Sequence, residues 1–313
     1  GLYRRVCGRL NRPWSADDEA AWVVEVYGLY GDAAAEELDV VPSSGEGAFL
    51  STVLIEARMV PAPVLRWSCP SSFAALDDFT RWRHAQDWIG ANLAGCLDGL
   101  NPDLQHYYGM DFGRSVDLTA IVPVAVGGDL IRRVPFLIEL RNVPFRQQEQ
   151  ILMAMIDRLP RFMKGAHDAR GNGQQLAETM QQKYGQTRIE AVMLSEEWYR
   201  THMPPLQAAF QDGALWIPKD ADVREDLRAL RLIRGVARIP ENYKGRGSDG
   251  KSRHAGTAIG LALAHYATRT PLELYDYHPV PRRAPAAPPL ADTPPRRAET
   301  GPFSRHGFER GRL

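Results

Sequence analysis

The sequence predicts an α/β fold, a mixed sheet flanked by helices, with a mainly helical N-terminal segment. Two observations indicate this class. Three consecutive extended segments occupy 105–112, 117–126 and 131–140, and the Gly-Gly-Asp at 127–129 is typical of a hairpin turn between the second and third. Helical and extended patterns then alternate to about residue 270, which is typical of strands joined by helices on both faces of a sheet.

The first hundred residues have the signals of helices. Ser15 followed by three acidic residues is a helix N-terminus signature, and Trp22, Val26 and Leu29 continue at helical spacing. A second short helix is predicted from Ala48, and prolines interrupt the chain between 61 and 70. We therefore divide the chain into four segments: 1–60, a helical connector at 61–104, the sheet domain at 105–270, and a Pro/Arg-rich tail at 271–313 whose composition predicts disorder.

Within the sheet domain the remaining elements follow from local periodicity. Helices are predicted at about 146–159, 173–184, from Ser195, at 221–233 and at 253–268. Strands or extended segments are predicted at 161–168, 188–194, 215–217 and 236–239.

Composition limits the classes of partner. Lys plus Arg and Asp plus Glu both number 38, so contacts with nucleic acid depend on local basic patches rather than on net charge. The three cysteines match no zinc spacing and suit free thiols in a reducing cytoplasm. No apolar run approaches the about 20 residues of a membrane helix, so no membrane partner is expected. The chain opens without Met, which favours a piece of a longer protein.

Asp111 ends the first predicted strand between Gly109 and Gly113. A strand fixes the direction of such a carboxylate, small neighbours let a phosphate backbone approach, and Mg²⁺ prefers oxygen ligands. The pattern therefore indicates a metal-dependent nuclease site. The alternative is an Asp that caps a turn.

Asp168 repeats this pattern at the end of the predicted strand 161–168, before a glycine-flanked turn into a helix. Two strand-end carboxylates of one sheet can hold a metal pair about 3.5–4 Å apart, the arrangement used for phosphodiester displacement. A helix cap is the competing interpretation. Three weaker candidates have an acidic or imidazole side chain near these strands. They are Glu139 (alternatively paired with Arg141 or Arg114), Asp117 (alternatively a turn cap) and His167 (alternatively a packed or exposed histidine).

Residues 245–252 satisfy the phosphate-loop pattern G-x-x-x-x-G-K-[ST]. Too little chain follows to supply the parallel strands of a nucleotide-binding fold, so we favour a basic loop that contacts DNA backbone. Nucleotide binding remains the alternative. The residues expected to contact DNA are Lys244, Arg246, Lys251, Arg253 and His254.

Four segments together resemble the nuclease domains of phage large terminases, above all the Mu-like branch: 111–119, 137–145, 168–173 and 253–264. The resemblance implies a ribonuclease H-like fold and an endonuclease that cuts double-stranded viral DNA during packaging with little sequence specificity. It also implies two Mg²⁺ or Mn²⁺ ions and the host cell cytoplasm as location. The implied partners are a small terminase subunit, a portal protein and a packaging ATPase domain upstream, of which residues 1–60 resemble the trailing edge.

In the resemblance, Asp111 and Asp168 match the first and second metal ligands. The third acid of the family falls on Gly256, so impaired catalysis is expected unless a neighbour such as Asp249 or His254 compensates. The alternative function is a non-catalytic DNA-clamping or docking module of the packaging motor. A nucleotide-binding protein that uses 245–252 is a further alternative.

Overall fold

A nine-stranded mixed sheet organises this computed structural model. The structure describes residues 2–30, 34, 38, 47–113, 118–171 and 173–271. The predicted tail, apart from its first residue, lies outside the described residues, as do Arg114 and Asp117.

The strands of the described residues are, in chain order, β1 (Met59–Val60), β2 (Val64–Ser68), β3 (Gln105–Asp111), β4 (Leu118–Val126), β5 (Arg132–Arg133), β6 (Leu137–Arg141), β7 (Phe162–Asp168), β8 (Ile189–Val192), β9 (Leu215–Pro218), β10 (Arg231–Ile233), β11 (Val236–Arg238), β12 (Gly245–Arg246) and β13 (Ser252–Arg253). The helices are α1 (Leu2–Arg9), α2 (Ala16–Tyr30), α3 (Thr52–Glu56), α4 (Asp78–Trp88), α5 (Ala94–Asp98), α6 (Phe145–Ile156), α7 (Gly173–Tyr184), α8 (Glu196–Gln211), α9 (Ala221–Arg228) and α10 (Gly256–Arg269).

The centre of the sheet has the strand order β6-β4-β3-β7-β8. Strand β4 is antiparallel to β3 and to β6, whereas β7 is parallel to β3 and β8 is parallel to β7. An antiparallel meander of three strands followed by two parallel strands is the topology of the ribonuclease H-like fold. The predicted fold class is confirmed. Strand β2, within the segment predicted as a helical connector, extends this sheet by pairing with β6.

The third predicted strand is two strands. The C-terminal end of β4 pairs with β5 and its N-terminal end pairs with β6. Pro135 lies between β5 and β6. Proline has no backbone N–H to donate to a ladder, so the pairing breaks there. Strand β5 then pairs in parallel with β9.

The short helix predicted from Ala48 begins at Thr52, and two later helices also have different bounds in the structure. The helix predicted at 221–233 ends at Arg228, and β10 turns back onto β11 through Arg234 and Gly235, both with positive φ, as a two-residue hairpin turn requires. The last helix begins at Gly256 rather than 253, because Ser252–Arg253 pair with Gly245–Arg246. The prediction of an extended segment at 236–239 agrees with β11, whereas β10 and Arg253 of β13 lie at positions that were predicted as helix.

At the N-terminal end, the hydroxyl of Ser15 accepts a hydrogen bond from the Asp18 backbone N–H at 3.1 Å, so the predicted cap of α2 is confirmed. No helix within the described part of the chain combines the length and apolar character that crossing a membrane requires.

Alternation along β3 decides what each face of the sheet contacts. Tyr108 and Met110 belong to the core shared with α4 to α7, whereas Tyr107 belongs to the core beneath α8 to α10. Gly109 faces α10 so closely that an added Cβ would lie 2.1 Å from the Gly260 carbonyl oxygen. Asp111 follows on this side of β3, and the side chain therefore points toward the start of α10.

Candidate functional site

Asp111 and Asp168 end neighbouring parallel strands. The register pairs Met110 with His167, which makes the two aspartates the next pair at the same edge of the sheet. Residues aligned in parallel strands point to the same face. Asp168 is 8% exposed and Asp111 is half-buried. The structure therefore brings together the two carboxylates that sequence analysis singled out.

Arg170 binds the Asp168 carboxylate. Its Nε lies 3.0 and 3.1 Å from the two carboxylate oxygens, and its Nη2 lies 2.8 Å from Oδ2. The Arg170 backbone N–H also donates to Oδ1 at 3.0 Å. Hydrogen bonds to Asp168 raise the pKa of Arg170, and Asp111 contributes through its charge. Arg170 was not among the candidate residues, although an arginine two residues after a strand-end Asp is a detectable signal.

Tyr199 of α8 interacts electrostatically with the same three side chains. The phenol is buried, and burial raises the pKa of Tyr199 to about 12. Arg170 opposes this shift, while Asp168 and Asp111 add to it. One buried hydroxyl thus responds to both carboxylates and to the guanidinium, which places all of them at one site.

Gly256, the position of the missing acid, lies beside Asp111. A Cβ at Gly256 would stand 2.9 Å from Asp111 Oδ2 and 3.1 Å from the carbonyl oxygen of Leu118. Ala255, just before it, has φ of 58°, an uncommon backbone conformation for a residue with a side chain. The start of α10 therefore lies close to the Asp111 carboxylate, and the residue before it has a strained backbone conformation.

Arg253 is 3% exposed, which does not support the predicted contact with DNA phosphate. Its Nη2 lies 2.5 Å from Glu139 Oε1 and 2.8 Å from Asp226 Oδ2. Glu139 also accepts from Arg66 Nε at 2.8 Å, so Arg253 and Arg66 are both ion-pair partners of Glu139, whereas Arg114, one of the two expected partners, lies outside the described residues. Burial raises the pKa of Asp226, although Arg253 opposes it. We call Glu139, Arg253 and Asp226 the buried ion cluster.

The buried ion cluster anchors the start of α10. Asp226 Oδ2 accepts from the Thr257 backbone N–H at 3.3 Å, and the Thr257 hydroxyl donates to Glu139 at 3.2 Å. Carboxylates at a helix N-terminus satisfy its unpaired N–H groups and its dipole. The cluster therefore fixes the helix end that carries Gly256.

The phosphate-loop pattern at 245–252 forms a hairpin. Gly245 pairs with Arg253 and Arg246 with Ser252. A phosphate loop leads from a strand directly into a helix, whereas α10 begins only at Gly256. This geometry does not support a nucleotide-binding loop.

The remaining candidates on the hairpin are solvent-exposed. They are Lys244, Arg246, Asp249, Lys251 and His254. Asp249 accepts from the Lys251 backbone N–H at 2.9 Å within the turn, and the Lys251 ammonium lies 3.2 Å from Ser68 Oγ. The hairpin thus presents basic side chains beside the edge of the sheet where β2 ends.

His167 faces away from the aspartates. Its Nε2 is 2.7 Å from the Tyr108 hydroxyl, and burial lowers the pKa of His167 to about 3. The packed alternative from sequence analysis describes its position.

The donor set fits one divalent cation better than two. Two carboxylates on one face supply oxygen ligands of the type that Mg²⁺ and Mn²⁺ prefer. Within the described ranges, no group of three or more His, Cys, Asp or Glu side chains is arranged to hold a metal. For a second ion, position 256 offers no carboxylate ligand, and the guanidinium of Arg170 is already bound to the oxygens of Asp168.

No family model matches the chain. Among curated proteins it is similar to the probable terminase large subunit gp28 of Escherichia phage Mu, with 42% identity over 275 residues, 84% of this chain and 49% of that protein. It is also similar to the Mu-like prophage FluMu protein gp28 of Haemophilus influenzae, with 34% identity over 284 residues, 90% of this chain and 56% of that protein. The chain thus spans about half the length of the curated relatives it matches.

Solved structures with similarity include the magnesium-bound large terminase nuclease of thermophilic phage G20c, at 19% identity and a TM-score of 0.39, covering 53% of this chain and 82% of that one. The HK97 bacteriophage large terminase has 10% identity and a TM-score of 0.41, covering 80% of this chain and 50% of that one. On its sequence identity to the Mu protein across most of its length, this chain belongs to the Mu-like family of phage large terminase subunits.

Proposed function

We propose that this chain is the nuclease region of a phage DNA-packaging motor, a divalent-metal-dependent endonuclease that cuts double-stranded viral DNA with little sequence specificity. The observation that supports it best is the placement of Asp111 and Asp168 as neighbours on one face of a ribonuclease H-like sheet. Asp111 and Asp168 would hold the metal. Bound metal would supply activation of an attacking water and stabilisation of the leaving 3′-oxygen.

The exposed hairpin at 244–254 supports the DNA-binding part of the proposal. Lys244, Arg246 and Lys251 are exposed cations on one short segment. Such side chains bind phosphates without reading base edges, so binding is expected to be sensitive to salt and largely independent of sequence. His254 is a further exposed side chain at the same place.

As parts of this proposal, the partners are double-stranded DNA, an ATPase domain upstream in the full-length protein, a small terminase subunit and a portal protein. The place of action is the host cell cytoplasm during assembly. These follow from membership of the family, whose known proteins extend to about twice the length of this chain.

Nicking of supercoiled plasmid in Mn²⁺ tests the catalytic proposal. We expect slow nicking by the native sequence, faster nicking by Gly256→Asp, and none by Asp111→Asn or Asp168→Asn in either background. Asp129→Asn is the matched control, since Asp129 is an exposed carboxylate paired with Arg133 in the β4–β5 turn. If neither the native chain nor Gly256→Asp cuts, the catalytic proposal fails.

A second candidate is a DNA-clamping or docking module without catalysis. The observations that favour it are the glycine at 256 and the Arg170 pair on Asp168. Crystals soaked in Mn²⁺ discriminate between the two: density between Asp111 and Asp168 supports the enzyme, and its absence at high Mn²⁺ concentration supports the clamp.

A further inference from the structure

We infer that the guanidinium of Arg170 occupies the second cation position of this site, so that the chain binds a single divalent ion and a metal pair forms only when Arg170 is removed from Asp168 and an acid is restored at 256. This inference rests on the proposed function. It differs from the metal pair that the family resemblance implies, and it concerns a residue outside the expected ligand set.

The first support is the geometry of the Asp168 carboxylate. Nε of Arg170 lies within 3.1 Å of both oxygens and Nη2 lies 2.8 Å from one of them. A planar guanidinium matches a carboxylate in this forked arrangement, which is among the stronger ion-pair geometries. Divalent cations bind the same carboxylate oxygens, so Arg170 and a metal ion compete for them.

The second support is the orientation of Asp168 itself. The backbone N–H of Arg170 alone would satisfy a carboxylate that merely caps the turn. Here the side chain of the same residue returns over the carboxylate, although half of that side chain is exposed and free to extend into solvent. The buried Asp168 side chain, which is 10% exposed, is therefore paired with the guanidinium of Arg170.

The third support is the charge at the site. Among these three side chains, Asp111 and Asp168 supply two negative charges and Arg170 one positive charge, a sum of minus one. One divalent ion already over-neutralises this, and a second would approach a positive site. Gly256 removes the acid beside Asp111 that would otherwise offset the second ion. The glycine and the arginine therefore both lower the number of ions that the site holds.

Tyr199 contributes to the same arrangement from α8. Its buried phenol interacts with Arg170 as well as with both carboxylates. Tyr199 is therefore a further interaction partner of Arg170, beside the pair that the guanidinium makes with Asp168.

Counting bound Mn²⁺ by electron paramagnetic resonance, without DNA, tests this inference independently of cleavage. We expect one ion for the native chain and roughly tenfold tighter binding of that ion for Arg170→Gln, because a positive charge next to the ligands is removed. We expect one ion for Gly256→Asp and two for the double variant. Arg133→Gln, which removes an exposed arginine from its pair with Asp129, is the matched control and should bind like the native chain.

Arg170→Lys keeps the positive charge but not the forked guanidinium, and it is expected to bind Mn²⁺ with the affinity of the native chain. Comparison with this variant separates the effect of the charge from a folding defect in Arg170→Gln. Two ions in any variant that retains Arg170 would overturn the inference and leave the nuclease proposal standing. An Arg170→Gln variant that is folded by circular dichroism but binds Mn²⁺ no more tightly would overturn it as well. Absence of Mn²⁺ from every variant, together with absence of nicking, would instead remove the proposed function.

Discussion

Gly256 and Asp111 face each other where α10 meets the end of β3: a Cβ on Gly256 would lie 2.9 Å from Asp111 Oδ2. The two residues are far apart in the chain, and the close packing of α10 onto β3 brings them together. Because a Cβ at this distance requires the Asp111 carboxylate to shift, a side chain at position 256 has a direct effect on the charge and geometry of the site.

Gly256→Asp is expected to make stability depend on metal. In EDTA the new carboxylate faces Asp111, so like-charge repulsion and the close approach to Leu118 should lower the free energy of unfolding by about 1–2 kcal/mol. Mn²⁺ should restore this loss, because a ligand that binds only the folded state stabilises it. Thermal unfolding with and without Mn²⁺ measures the effect. Gly256→Asn has nearly the same shape without the charge, and an equal response to Mn²⁺ from that variant would contradict the prediction.

Arg253→Met is expected to destabilise the fold severely. Glu139 and Asp226 are each 1% exposed, and removal of Arg253 takes the cation partner from Asp226 and leaves Glu139 paired with Arg66. Breaking one partner of such a buried group costs about 3–5 kcal/mol. Urea unfolding at neutral pH measures this. Arg133→Met, in an exposed pair, should cost at most about 1 kcal/mol. Similar values for the two variants would show that the cluster does not hold the start of α10.

His265 is expected to make the fold less stable in mild acid. Burial in α10, aided by the charges of Arg132 and Arg269, lowers the pKa of His265 to about 3 from an ordinary 6.5. Between these values the unfolded chain binds the proton and the folded chain does not. The contribution to stability is therefore complete above pH 6.5 and falls as the pH drops toward 3, by about 1.4 kcal/mol for each pH unit.

Denaturant unfolding of His265→Phe and of the native chain between pH 7 and 5 checks the sign. The variant should lose less stability than the native chain over this interval. The difference between the two slopes of unfolding free energy against pH should correspond to about one bound proton. His254→Phe is the control, since His254 is exposed at the hairpin. Equal slopes for the native chain and His265→Phe would refute the assignment.

Replacing Lys244, Arg246 and Lys251 with Ala is expected to weaken DNA binding equally for unrelated sequences. Each phosphate that is no longer neutralised should reduce the slope of log affinity against log salt by about 0.9, so the slope of the triple variant should fall by roughly three. Fluorescence anisotropy of labelled duplexes over a salt series measures this. The control replaces three exposed cations elsewhere, Arg133, Arg158 and Lys183. The same reduction in both triple variants would show that the hairpin has no special role.

Local sequence pattern was sufficient for the centre of the fold. Period-two alternation and turn residues predicted β3, β4, β7 and β8 nearly at their observed bounds, and each of the two strand-end aspartates was evident from its own neighbours. It found β11 but missed β10, β12 and β13, because strands of two or three residues are too brief for a period to show.

The partners of charged side chains could not be predicted in the same way. Arg253 sits in a basic run that is typical of a DNA-binding loop, yet its buried partner Glu139 is 114 residues away. Arg170 was missed although it lies only two residues after Asp168, because the spacing alone does not show that the turn after β7 returns its side chain onto the carboxylate.

The sequence by itself determined the order of strands and helices and the placement of Asp111 and Asp168 at strand ends, because backbone periodicity and turn chemistry act over a few residues. Only the tertiary structure decided that Gly256 lies against Asp111 and that Arg253 is internal. Those outcomes depend on which distant surfaces pack together, and burial then makes the pairing of charges obligatory rather than optional.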